Sequence, residues 1–219
     1  MRRILSIIPF LFAAAAFAAD NPVDRWAHAV GGKDKIAAVK AIYREGTLEF
    51  GGMEGSITVW HTSDGRYRKE EQVGMFSSVE TFDGTNGVVQ KGGAGPQRVT
   101  GADLPVAKSK AYANSNSMFF VFAPQRRGSL TTEGDTIVFK PEGGIEWRVT
   151  FDPQTSLPKT MLHDEGGKTI TVTVASWETV DGITLEKEIH RTNGVASAVI
   201  RFTKTVINPP VDASLFTIE

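Results

Sequence analysis

From residue 42 onward, hydrophobic and polar positions alternate. Ile42, Leu48 and Phe50 share one parity, with Gly46 between them, and Ile57 and Val59 repeat the pattern in the next run. Ile145, Trp147, Val149 and Phe151 alternate with Glu146, Arg148, Thr150 and Asp152. Ile170, Val172 and Val174 alternate with threonines, and Ile183, Leu185 and Ile189 with Thr184, Glu186, Glu188 and His190. A period of two gives a strand one dry and one wet face, the signature of an antiparallel sheet covered on one side. Turn-forming pairs separate the runs: Gly51-Gly52, Asp64-Gly65, Asp83-Gly84, Gly143-Gly144, Gly166-Gly167, Asp181-Gly182 and Asn193-Gly194. Their close spacing predicts a meander in which sequence neighbours pair in space. Asn208-Pro209-Pro210 ends the last long strand.

Two segments depart from this period. Asn21 to Ala41 carries Trp26, Ala29, Val30, Ile36, Ala38 and Val39 at helical spacing, with Lys33, Lys35 and Lys40 on the opposite side. Asn21-Pro22 supplies a cap and a first-turn proline, and Gly31-Gly32 predicts a bend between two short helices. Ala102 to Asn114 reads as a second short helix running into Met118-Phe119-Phe120-Val121-Phe122. Periodicity does not distinguish strand from helix in that apolar run; a helical insert over the sheet is the expectation. The fold class is therefore α+β, mainly β. About ten strands present more apolar surface than two short helices hide against a flat sheet. The sheet is expected to curl around the helices as an incomplete barrel, with a concave apolar interior.

The first residues add a compartment. Arg2 and Arg3 precede an apolar run from Ile4 to Phe17, followed by the small-residue exit Ala16-Phe17-Ala18. This is the pattern of a cleaved signal peptide over 1–18, and the run is short for a spanning helix. Residues 19–219 are then expected to form one exported, periplasmic domain, and no later apolar run is long enough to cross a bilayer as a helix. The sequence has no cysteine, which excludes disulfides, thiol chemistry and N-terminal lipidation. The net charge is −1, without a basic block to suggest nucleic acid.

Three stretches carry a family likeness. They are Ala29-Val30-Gly31-Gly32-Lys33-Asp34-Lys35 with Val39-Lys40-Ala41-Ile42 and Gly46; Phe151-Asp152-Pro153-Gln154-Thr155-Ser156-Leu157-Pro158 with Val180-Asp181-Gly182-Ile183-Thr184-Leu185; and Val206-Ile207-Asn208-Pro209-Pro210-Val211-Asp212-Ala213-Ser214-Leu215-Phe216. Together they resemble exported bacterial proteins similar to the outer-membrane lipoprotein-sorting carriers, the Lol carrier fold. The resemblance implies an incomplete barrel around helices with an apolar cavity for acyl chains. Lacking a cysteine, the chain is more similar to the family's soluble carrier than to its lipidated receptor.

Catalytic constellations are not evident. His28, His61, His163 and His190 lack metal-ligand spacing, and the last three fall at or near strand ends, where surface histidines are common. Gly55-Ser56-Ile57 is not a nucleophile elbow. Glu70-Glu71 and Asp164-Glu165 are carboxylate pairs, but strand neighbours point to opposite faces, and solvated faces are expected there. Gly92-Gly93-Ala94-Gly95 lacks the Lys-Ser/Thr of a phosphate loop. A non-enzymatic protein without a cofactor is predicted. Leu48, Phe50, Ile57, Val59, Trp147 and Val149 are the candidate cavity wall, and Met118, Phe119, Phe120 and Phe122 a candidate lid. The expected partners are lipid or lipoprotein acyl chains. The alternative is an envelope interaction module with a filled core that binds other envelope proteins.

Overall fold

The computed structural model describes residues 21–113 and 127–218. The segment predicted as a signal peptide and the Met118–Phe122 run lie outside the described residues. The N-terminal segment forms two helices, α1 (Pro22–Ala29) and α2 (Lys33–Ala38). The Asn21 side chain accepts the Val23 N–H at 3.0 Å and so satisfies one of the unpaired donors at the helix start. Gly31 takes φ 126°, and a side chain there would run into the Gly182 carbonyl. The bend therefore requires glycine on both conformational and steric grounds. Trp26, Ala27 and Val30 enter the core, whereas Ala38, predicted on the apolar side, is exposed. The second helix is too short to present a full dry stripe, and only Ile36 packs against the core from it.

The strands form one sheet in two meanders. The first runs β1 (Ala41–Phe50), β2 (Met53–Thr62), β3 (Tyr67–Val73), β4 (Phe76–Phe82), β5 (Gly87–Lys91) and β6 (Gln97–Val99). The second runs β7 (Ser129–Glu133), β8 (Thr136–Lys140), β9 (Trp147–Phe151), β10 (Pro158–Glu165), β11 (Lys168–Val180), β12 (Ile183–Thr192) and β13 (Ser197–Ile207). The order is β6-β5-β4-β3-β2-β1-β13-β12-β11-β10-β9-β8-β7, so β1 pairs with the last strand, and β6 and β7 are the edges among the described residues. All pairings are antiparallel. The short terminal strands β5 to β8 raise the count above the ten expected. Strand β9 starts at Trp147 rather than Ile145, because the Ile145 backbone is bound instead by a helix.

That helix is α3 (Asp103–Ala113), as the sequence predicts. It bridges the two limbs of the curved sheet. Ala107 and Ala111 pack on Tyr67 and Phe82 of the first limb. On the other side, Ser109 Oγ accepts the Ile145 N–H at 2.8 Å and donates to its carbonyl at 3.3 Å. Curvature is visible in contacts between strands distant in the sheet order: Arg191 on β12 reaches Glu71 on β3 at 3.4 Å. Trp26, Val30 and Val39 fill one end of the half-barrel together with Ile42, Leu185 and Ile189. Gly46 permits this packing, because a side chain there would strike the Arg201 carbonyl where β1 and β13 shift register.

Candidate functional site

Among the described residues, the other end of the half-barrel is not filled. A hollow of about 460 Å³ lies on the concave face below α3. Phe50, Trp147, Ile170 and Ala198 provide its apolar wall. Much of the remainder is charged: Lys69, Lys91, Lys110, Lys168 and Arg191 against Glu71, Glu80 and Glu165. The expected apolar lining is therefore a mixed one, and strand parity is the reason. Lys69 and Glu71 stand opposite Val59 and Ile57 in the β2–β3 register, which commits them to the inner face. Glu80 shares its face with Phe82, Arg191 with Ile189, and Glu165 with Met161 and His163.

These charges form a belt across the hollow. Glu71 is held by Arg191 at 3.4 Å and Lys69 at 3.3 Å. Lys69 continues to Glu80 at 3.4 Å, and Glu80 to Lys110 on α3 at 3.6 Å. Lys110 reaches Glu165 on β10 at 2.9 Å. The belt ties both sheet limbs to the helix, and it engages all three carboxylates. Lys91 and Lys168 carry no ion pair among the described residues, so the hollow holds an excess of positive charge.

Burial alone would push the Glu80 carboxyl up, but Lys69 and Lys110 outweigh it and hold it down to about 2. A carboxyl lowered in the folded state contributes stability above its unfolded pKa and loses it as pH falls. Stability is therefore expected to decline from about pH 4.5 toward pH 2 more steeply in the native protein than in Glu80→Gln. Urea midpoints at pH 5 and pH 3 measure the difference; equal declines would contradict this role for Glu80.

The floor of the hollow is an aromatic stack. Trp147 and His163 face each other across β9 and β10 with ring centroids 3.9 Å apart and planes 13° apart. Both are buried, at 1% and 6% exposure, so His163 is not the surface histidine expected from its place near a strand end. His61 is buried too, and burial together with Arg44 pushes its ring down to about 3. His190 is exposed and pairs with Glu188 at 2.9 Å. Among the described residues, no group of three or more His, Asp or Glu side chains is placed to hold a metal ion.

The residues predicted as cavity wall divide between two environments. Phe50 is 41% exposed at the mouth, and Trp147 lies at the floor; both line the hollow. Leu48, Ile57, Val59 and Val149 are packed in the continuous core and are not among the lining residues. Met118, Phe119, Phe120 and Phe122 lie outside the described residues. Glu70 is exposed, but Glu71 faces the hollow, so that pair is split between wet and enclosed faces. Sequence reasoning missed the belt because it followed only the apolar members of each strand. The parity of Tyr67 and Val73 with Lys69 and Glu71 was the available signal.

A LolA superfamily protein, NE2245 from Nitrosomonas europaea, superposes with a TM-score of 0.53 at 10% identity, covering 91% of this chain and 99% of that one. The fold is Lol carrier-like. A DUF1329 family protein from Desulfovibrio piger gives a TM-score of 0.54 at 12% identity, covering 90% of this chain and 95% of that one. No protein-family model matches the sequence, and no curated protein matches it. At these identities the likeness is one of backbone, and the charged belt must be judged on this chain's own residues. Among the described residues of this Lol carrier-like fold, no helix is long and apolar enough to cross a membrane.

Proposed function

We propose that the protein is an exported periplasmic carrier that takes the acyl chains of a lipid or lipoprotein into the hollow of its curved sheet. The observation that carries this reading is the open hollow of about 460 Å³ with Phe50, Trp147, Ile170 and Ala198 on its wall. An apolar chain laid against those side chains gains the free energy of leaving water, on the order of 0.8 kcal/mol per buried methylene. Release to an acceptor then needs only a matched affinity there, with no cofactor and no bond made or broken. The mixed lining favours an amphiphile over a pure hydrocarbon.

A second reading rests on the packing of Leu48, Ile57, Val59 and Val149 into a continuous core. A largely filled interior supports an envelope interaction module acting through its surfaces. One experiment separates the two. The exported protein, isolated without detergent, is analysed by native mass spectrometry with lipid extraction, then titrated with a fluorescent acyl probe. The carrier is expected to retain lipid or to take up the probe saturably with displacement by unlabelled lipid. No retained lipid and no saturable uptake would favour the module.

A further inference from the structure

The floor of the hollow contains polar atoms that the protein leaves unsatisfied. Trp147 Nε1 and both ring nitrogens of His163 are buried without a hydrogen-bond partner. Glu165 Oε2 lies 3.6 Å from His163 Nε2, beyond hydrogen-bond reach. An indole N–H only donates, and an imidazole has at least one N–H to donate in either protonation state. Leaving such donors buried and unmet is unfavourable. Trp147 and His163 line the hollow, and their unmet donors call for an acceptor.

The charge count points to the kind of acceptor. The three carboxylates of the hollow are already engaged by Lys69, Lys110 and Arg191. Lys91 and Lys168 line the same hollow and are not part of the belt. Lys168 follows directly from the floor: it pairs with Glu165 across the β10–β11 hairpin, two positions along from the His163–Ile170 pair. Donors at the floor and uncompensated ammonium groups nearby favour an anion over a neutral hydroxyl or a cation.

We infer that the hollow selects an acid-headed amphiphile, whose carboxylate or phosphate accepts hydrogen bonds from Trp147 Nε1 and His163 while Lys168 and Lys91 supply the opposing charge. This rests on the carrier reading and specifies its ligand class. The acid is a hydrogen-bond acceptor on both oxygens and matches these donors in kind. The attached chain then lies against Phe50, Ile170 and Ala198. A lipid head and a free small anion offer the same chemistry to this floor, and the test includes both.

The full exported protein is titrated with palmitate, hexadecanol, hexadecyltrimethylammonium and inorganic phosphate. Binding is followed by displacement of an acyl probe and by the indole N–H resonances of ¹⁵N-labelled protein. The four tryptophans give four such signals, and Trp147→Phe assigns one of them. Palmitate is expected to bind at least about tenfold more tightly than hexadecanol and to shift the Trp147 resonance downfield. The exposed pair Lys91→Gln and Lys168→Gln is expected to remove most of that preference by weakening palmitate binding. Equal affinity for palmitate and hexadecanol, with the Trp147 resonance unmoved, would overturn the inference and leave the carrier standing. Binding of none of the amphiphiles, with phosphate shifting the Trp147 resonance, would keep the anion site and remove the carrier. Binding of neither amphiphiles nor phosphate would overturn both, with water as the acceptor at the floor.

Discussion

Replacing Arg44 with alanine is expected to destabilise the folded protein by about 3–5 kcal/mol. Arg44 is 1% exposed, its guanidinium stacked 3.5 Å from the centre of the Phe202 ring. It donates to the Glu186 backbone carbonyl and lies 3.5 Å from the Glu186 carboxylate and 3.6 Å from that of Glu178. Burial pulls the Arg44 pKa down and pushes that of Glu186 up, each against the attraction of the other. Desolvation thus opposes the charged form of each partner. Truncating one member leaves the cost of the other and adds a void beside Phe202. Replacing both with apolar side chains removes both desolvation costs, so Arg44→Met with Glu186→Leu is expected to recover most of the loss. Urea denaturation of the single and double variants measures this. A single-variant loss below about 1 kcal/mol would show that the pair contributes little.

Trp147→Ala is expected to cost a similar amount, about 3–5 kcal/mol, because the indole is buried and central to an aromatic ladder. Phe139, Trp147 and His163 occupy facing positions on β8, β9 and β10, with centroid separations of 6.2 and 3.9 Å. Removing the middle ring breaks both contacts and joins its volume to the hollow. Trp147→Phe keeps an aromatic surface and loses the unmet indole donor, so its cost is expected to fall well below that of alanine. Thermal or urea midpoints of the two variants, compared at one pH, give the ordering. An alanine variant as stable as phenylalanine would mean that the floor closes over the gap.

Much of the architecture was readable from residue order because each level agreed with the next. Alternation at Trp147, Val149 and Phe151, glycine turns and the helical spacing around Trp26 lead to a curled sheet with interior helices, and the structure has this form. Glu186 was assigned to the wet side by the same alternation, yet it is buried. The β11–β12 register shifts between Val174 and Trp177, and a shift of that kind re-aims the side chains on its far side. No residue in that stretch announces the irregularity. The charged belt was half legible: parity places Lys69 and Glu71 inside, but their partners Arg191 and Glu80 come from other strands. Glu80 is the cross-strand partner of Lys69 in the β3–β4 register, but only curvature brings Arg191 to Glu71.

The junction of β1 with β13 also constrains how the chain reaches this state. Residues 42 and 207 are register partners, so the seam between the two meanders joins segments from opposite ends of the domain. Each meander can assemble from local hairpins, but the seam must wait until the final strand has emerged. A nascent or partly delivered chain therefore holds β1 with one unpaired side and its apolar residues without their final cover. Binding to that exposed edge would delay completion of the fold, and arrival of residues 197–207 would remove the edge.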